Sequence, residues 1–165
     1  MPVDPNMFRH IVGHYPTGVC VISTMSDEGV PIGMAVGTFT SVSLDPPLVA
    51  FLPSKASRSW SAIERARQFC VSVLADDQEW LCARFASKLE NKFQDVSHRL
   101  SEAGLPVLDE ALAWIDCSLH AVHEAGDHLI VLGEVRALAI ARQTGPLIFY
   151  RGGYGTFAPR DAAFC

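Results

Sequence analysis

Apolar residues recur at two periods along this chain, and the period changes where the punctuation residues fall. Phe8, Ile11, Val12 and Tyr15 follow Asp4-Pro5 at helical spacing, which predicts a short amphipathic helix capped by Asp4 and stopped by Pro16. Gly18-Val-Cys-Val-Ile-Ser-Thr24 is rich in β-branched residues. With Asp27-Glu28-Gly29 as turn and Ile32 to Ser41 as the returning strand, it predicts a hairpin. Asp45-Pro46-Pro47 breaks the chain before Leu48 to Leu52, a strand short and apolar enough to be covered on both faces.

The second half continues in the same manner. A polar loop, Ser54 to Ser59, leads into a helix with Trp60, Ile63 and Ala66 inward, and Phe69 to Leu74 reads as a strand. Asp76-Asp77 is expected to cap a helix carrying Leu81 and Phe85. Ala86 to Pro106 is polar and irregular, a long loop of the kind that carries function in compact domains. Trp114 to Val122 and Leu129 to Ala139 are long strands joined through Glu124 to Asp127, and Leu147 to Tyr150 is a last strand before a Gly-rich tail. Strands in hairpins outnumber helices and no alternating β-α pattern appears. The expected architecture is therefore mainly β, a closed or partly closed antiparallel barrel with a few short peripheral helices.

Composition narrows the class. The chain has 165 residues, 49% of them hydrophobic, enough apolar material for one core and one domain over residues 1–165. No apolar run approaches the roughly 20 residues of a membrane helix. The segment Met1 to Arg9 lacks the basic and then apolar character of a signal peptide, so a cytoplasmic location is expected. Cysteines at 20, 70, 82, 117 and 165 are odd in number and widely spaced. They read as buried thiols, with neither bridges nor a metal site expected.

A net charge of -5 gives no nucleic-acid footprint, but the charge is unevenly placed. Eight of the thirteen basic residues lie between Lys55 and Arg99, whereas Leu100 to Val135 holds seven acids and no Lys or Arg. That asymmetry suits an anionic small molecule at the basic region, although solvated helix faces would give the same pattern.

Four segments carry candidate chemistry. Gly126-Asp127-His128 sets a histidine at a hairpin mouth. Gly33 to Ser43 places small and hydroxyl residues where a flat ligand could approach backbone amides. Ser54-Lys-Ala-Ser-Arg-Ser59 offers hydroxyls, two cations and a helix start within six residues, features that favour phosphate. Tyr150-Arg-Gly-Gly-Tyr154 puts a cation between aromatics. No Gly-x-Gly-x-x-Gly unit, Gly-x-Ser-x-Gly elbow or catalytic carboxylate pair is present.

In order, Pro16-Thr-Gly-Val19, Gly33-Met34 to Phe39, Thr40 to Leu48, Phe69 to Leu74, Gly126-Asp-His128 and Pro146 to Tyr154 resemble the short-chain flavin reductases. These are the NAD(P)H:flavin oxidoreductase components of two-component flavin-dependent monooxygenases. Pro53 to Trp60, Ala83 to Lys88, Asn91-Lys-Phe93 and Tyr150-Arg-Gly152 are most similar to the reductase of the bacterial secosteroid hydroxylase.

The resemblance implies a homodimeric split barrel with Greek-key topology, FMN or FAD and NADH (NADPH as the alternative), and a separate oxygenase partner. It also implies site residues. Met34, Ala35, Val36, Gly37, Thr38, Thr40 and Ser41 would line the isoalloxazine and ribityl chain, and Lys55, Ser57, Arg58 and Ser59 would hold phosphate. Arg84, Lys92 and Phe93 would close the site, His128 would face the nicotinamide, and Tyr150, Arg151 and Gly152 would approach the dinucleotide. Gly37 departs from the asparagine many members carry there. Two rival readings are a non-catalytic flavin-binding module on the same fold and a reductase of ferric or corrinoid acceptors.

Overall fold

The computed structural model describes residues 2–160. Helix α1 spans Pro5–Val12, and both Asp4 carboxylate oxygens accept first-turn amides, from Asn6 at 3.3 Å and Met7 at 3.1 Å. This is the cap the sequence calls for. Its apolar side is bare: Met7, Phe8, Ile11 and Val12 are all exposed, and no residue of α1 is buried.

A two-residue strand β1 (Thr17–Gly18) precedes β2 (Cys20–Met25), which runs through the core. Successive side chains from Val19 to Ile22 enter different clusters, as the period-2 alternation of a strand requires. Cys20 and Ile22 pack with Phe51, Trp60, Ile63, Phe69 and Val71, whereas Val19 and Val21 pack with Leu74, Leu81, Phe85 and Phe93.

β2 turns at Gly29 (φ +73°) and pairs with β3 (Pro31–Val36), Ile22 opposite Met34. Here the sequence expectation fails. The strand expected to run to Ser41 stops at Val36, and β4 (Thr40–Leu44) pairs instead with β5 (Pro47–Phe51). Two side-chain facts account for the break. A Cβ at Gly37 would stand 2.9 Å from Thr17 Oγ1, so the backbone presses against β1 there. Thr38 Oγ1 then accepts the Leu52 amide at 3.0 Å, drawing the chain to the β5 side.

Helix α2 (Arg58–Ala66) buries Trp60 and Ile63 as expected and leads into β6 (Gln68–Val73). Helix α3 (Glu79–Ala86) follows, but neither Asp76 nor Asp77 caps it. The N-cap position is Gln78, which makes no side-chain cap bond. Its buried amide is used elsewhere, accepting from Ala75 N at 3.0 Å and donating to Asp109 O at 2.9 Å. Asp77 is held by Arg142 Nη1 and Nη2 at 2.9 and 2.6 Å, a bond that keeps its carboxyl below the usual carboxylate range.

The expected loop from Ala86 to Pro106 is partly ordered as strand. β7 (His98–Leu100) pairs with β8 (Pro106–Leu108), which is buried throughout. The sheet fastens this hairpin through Ser23 Oγ to Pro106 O at 2.6 Å and Leu108 N to Ser72 Oγ at 3.2 Å.

Two 13-residue strands, β9 (Ala113–Ala125) and β10 (His128–Ile140), form the longest hairpin. β10 bends at two register shifts, and at Gly133 a Cβ would collide with the Phe69 ring, so only glycine fits. β11 (Ile148–Tyr150) pairs with β1. The Gly-rich tail adds β12 (Gly153–Gly155), an element the sequence reading omitted.

The main sheet is antiparallel in the order β3-β2-β6-β9-β10-β5-β4. Its two edges, β3 and β4, are consecutive in sequence. Four Cα steps from Val36 to Thr40 reach at most about 15 Å, so the sheet must coil to bring its edges near each other. The edges do not pair, and the class is mainly β. Among the described residues no helix is long and apolar enough to cross a membrane, and no group of three His, Cys, Asp or Glu is placed to hold a metal. Cys20, Cys70, Cys82 and Cys117 are buried free thiols, and Cys165 lies outside the described residues.

Candidate active site

A cavity of about 800 Å³ lies between β3, the Ser54–Ser59 segment and the C-terminal end of α3. Its β3 wall carries Ile32, Met34 and Ala35. Close approach of α3 to this wall depends on Gly33, where a Cβ would lie 2.8 Å from the Phe85 ring. The opposite side is the irregular stretch from Ala86 to Lys92, inside the loop that the sequence marked as a functional candidate.

The hydroxyls expected at phosphate are largely occupied by the fold. Ser57 is the N-cap of α2, accepting from Trp60 N at 3.2 Å, and Ser59 is buried and donates to Gly33 O at 3.0 Å, tying α2 to β3. Arg58 reaches across the cavity to Lys88 O at 3.3 Å. Lys92 Nζ donates to Phe85 O at 2.9 Å and lines the cavity, while burial and the neighbouring Arg58 charge hold its pKa below the ordinary lysine value. Arg84 bonds the Lys92 carbonyl at 3.1 Å and the Gln94 carbonyl, and so braces the loop. Phe93 is buried in the core against Phe85 and His98.

The β9–β10 turn lies against the Ser54–Lys55 end of the cavity, although His128 itself is not among the lining residues. Gly126 takes φ +65° at the first of two turn positions, the geometry that makes glycine the favoured residue there. Lys55 N donates to Asp127 O at 3.0 Å, Leu129 N to Pro53 O at 3.0 Å, and Ser54 bridges His128. His128 Nδ1 lies 2.7 Å from Asp127 Oδ1, and this bond lowers the Asp127 pKa. Segments more than seventy residues apart in sequence thus meet at one cavity mouth.

Of the remaining expected residues, Met34 and Ala35 line the cavity, while Val36, Gly37 and Thr38 continue past it toward Leu52. Thr40 and Ser41 lie on β4, where Thr40 Oγ1 bonds the Ser41 carbonyl at 3.3 Å. Tyr150 ends β11 and Arg151-Gly152 form the turn to β12, beside the end of α1, with Arg151 N on Gly13 O at 3.0 Å and the Tyr150 ring edge-on to His14. They are not among the cavity-lining residues. Ile32, Ala86, Leu89 and Glu90 line the cavity without having been singled out one by one. The length and polarity of the 86–106 stretch pointed to the last three, and the Ala83 to Lys88 resemblance to Ala86 as well.

An apolar strand wall facing a cationic rim fits a ligand with a flat ring and an anionic tail. A second cavity of about 410 Å³ near the start of α3 carries Asp77, Asp109 and Glu110 and would repel such a tail.

The chain belongs to the flavin reductase like domain family, whose model matches residues 12–158. It is 57% identical over 94% of its length to a flavin reductase of Pseudomonas putida, covering 92% of that protein. Identity is 48%, over 95% of the chain and 80% of the relative, to the reductase subunit of a flavin-dependent monooxygenase of Rhodococcus jostii. Among solved structures, an NADH:FAD oxidoreductase of Streptomyces globisporus, in complex with NAD and FAD fragments, superposes with a TM-score of 0.89. It is 35% identical, covering 97% of this chain and 98% of that one.

Proposed function

We propose that this protein is an NAD(P)H:flavin oxidoreductase that supplies reduced flavin to a separate oxygenase component, with NADH as the favoured donor. The observation that carries the reading is the cavity itself, an apolar β3 wall and a cationic rim with the His128 turn clipped onto its mouth. Membership of the family over most of the chain agrees with it.

FMN or FAD, when bound, supplies the redox chemistry by accepting hydride from the reduced nicotinamide. The chain's own task is to position two ligands and exclude water, since enforced proximity accounts for much of the acceleration in such transfers. Met34 to Thr38 offer the ring a thin apolar strand edge continued by backbone amides, with Thr40 and Ser41 beyond it. The Ser54–Ser59 segment and the first turn of α2 take the phosphate end. His128 orients the nicotinamide nucleotide from the rim, held in place by Asp127 and by the backbone bonds of its turn.

The single-domain assignment over residues 1–165, a cytoplasmic location and a split Greek-key barrel belong to the same proposal. The three-residue link between the edge strands supports the barrel. Homodimerisation belongs to it as well. The C-terminal end of α1 adjoins the β11–β12 turn, so a second copy seated on the bare apolar side of that helix would bring Tyr150, Arg151 and Gly152 near the interface.

The deciding experiment is anaerobic NADH oxidation followed at 340 nm, with no flavin, FMN or FAD added in turn. We expect turnover that depends on added flavin. Bound flavin without NADH turnover would instead identify a carrier module, and turnover only with a ferric or corrinoid acceptor would identify a different reductase.

A further inference from the structure

Beneath the β7–β8 hairpin the sheet is polar where an apolar seat would pack better. Ser23, Cys70 and Asp116 stand opposite one another on β2, β6 and β9, so their side chains share one face of the sheet, and Ser72 follows two residues along β6. All four are at most 2% exposed. The hairpin covers this face with Leu105 and Val107, which are buried in one cluster with Cys70, and β8 packs across β2 and β6.

Two of the four polar groups fasten the hairpin. Ser23 Oγ donates to Pro106 O, and Ser72 Oγ accepts from Leu108 N. Asp116 does neither, and its Oδ1 is enclosed without a hydrogen-bond partner. Beside it is the Cys70 thiol, which burial and the Asp116 carboxylate push above the ordinary thiol range. No cation compensates the carboxylate. Arg99 lies over the Trp114 ring at 5.4 Å, Arg136 is held by Ser118 and Glu134, and among the described residues Asp116 forms no ion pair.

An enclosed acceptor without a donor favours any motion that admits water to it. Lifting the hairpin is such a motion, since it breaks the two serine bonds and leaves the seven-stranded sheet beneath paired. The base of the hairpin also adjoins the main cavity. Ser87 to Lys92 line that cavity, Phe93 packs on His98 of β7, and Asp109 N donates to Ser97 O at 3.1 Å across the base.

We propose that the β7–β8 hairpin is a flap whose local opening is set by Asp116, and that its opening loosens the 87–92 wall of the cavity. The flap stands on the polar seat alone. Its effect on flavin rests on the function proposed above.

The test is amide hydrogen exchange of the full chain at pH 7, read by mass spectrometry, on the wild type and on Asp116→Val. The substitution removes the enclosed oxygen and keeps a residue suited to a strand. In the wild type, peptides covering residues 98–108 should exchange at least about tenfold faster than those covering β6, because the hairpin opens without the sheet. In Asp116→Val the same peptides should slow by about tenfold while α1 keeps its rate. Release of FMN, followed by stopped-flow fluorescence, should slow in that variant as well.

Wild-type exchange over 98–108 no faster than over β6 would overturn the flap, and that comparison needs no variant. Unchanged or faster exchange in Asp116→Val would remove Asp116 from its control. Slower exchange with unchanged FMN release would overturn the link to the cavity. A wild type that binds no FMN would refute the flavin reading, a result separate from the exchange data.

Discussion

Cys20 and Cys117 show how strongly a single position can be governed by its surroundings. Burial pushes each thiol up to about 12, and burial with the facing Asp116 raises Cys70 as well. A thiol whose folded pKa lies above its unfolded value binds more protons when folded once pH passes that unfolded value. Its contribution is therefore intact below about pH 9 and is lost as pH rises through the window up to about 12. By pH 10 each such thiol should lower stability by about 1 kcal/mol. Urea unfolding at pH 8 and pH 10 should show the decline, with a smaller slope in Cys117→Ala. The sequence placed these cysteines inside from their spacing alone, but it could not say that Ser57 and Ser59 spend their hydroxyls on a helix cap and on Gly33 O. A serine beside a lysine reads as a phosphate ligand until its fold partners are known.

Among the elements, α1 is the case in which local sequence is fully expressed and still incomplete. Its cap, its length and its apolar stripe all follow from Asp4-Pro5 and the helical spacing, yet the stripe meets nothing in its own chain. Met7, Phe8, Ile11 and Val12 together form an exposed apolar stripe of the kind that serves contact with a partner. If that surface seats a second copy, sedimentation will find the wild type at twice the 18.0 kDa chain mass, and Ile11→Asp will shift it toward 18.0 kDa. A wild type that sediments as a single chain would remove the homodimer. Other elements misled the reading because a remote contact outweighed propensity. Gly33 to Ser43 has strand character throughout, but Thr17 and Leu52 divide it between opposite sheet edges. Asp77 looks like a cap, but Arg142, distant in sequence, holds it in a bidentate ion pair.

At the scale of the whole molecule, β9 and β10 from the second half of the chain are inserted between β3-β2-β6 and β5-β4 from the first, with β9 at the centre of the sheet. If the chain is the single domain proposed above, one cooperative transition is expected. Far-ultraviolet circular dichroism and tryptophan fluorescence should give coincident urea curves, since Trp60, Trp80 and Trp114 report from α2, α3 and β9. Two separated transitions would contradict a single domain. The sequence by itself determined the mainly β class, the Asp4 cap of α1, the hairpin turns, the buried character of Cys20, Cys70, Cys82 and Cys117 and the basic stretch that borders the cavity, because each depends on residues near one another along the chain. Only the tertiary structure decided that His128 meets Ser54, that Lys55 pairs with Glu124, and that β3 and β4 part. Those outcomes depend on contacts between residues up to about seventy positions apart, which no local pattern encodes.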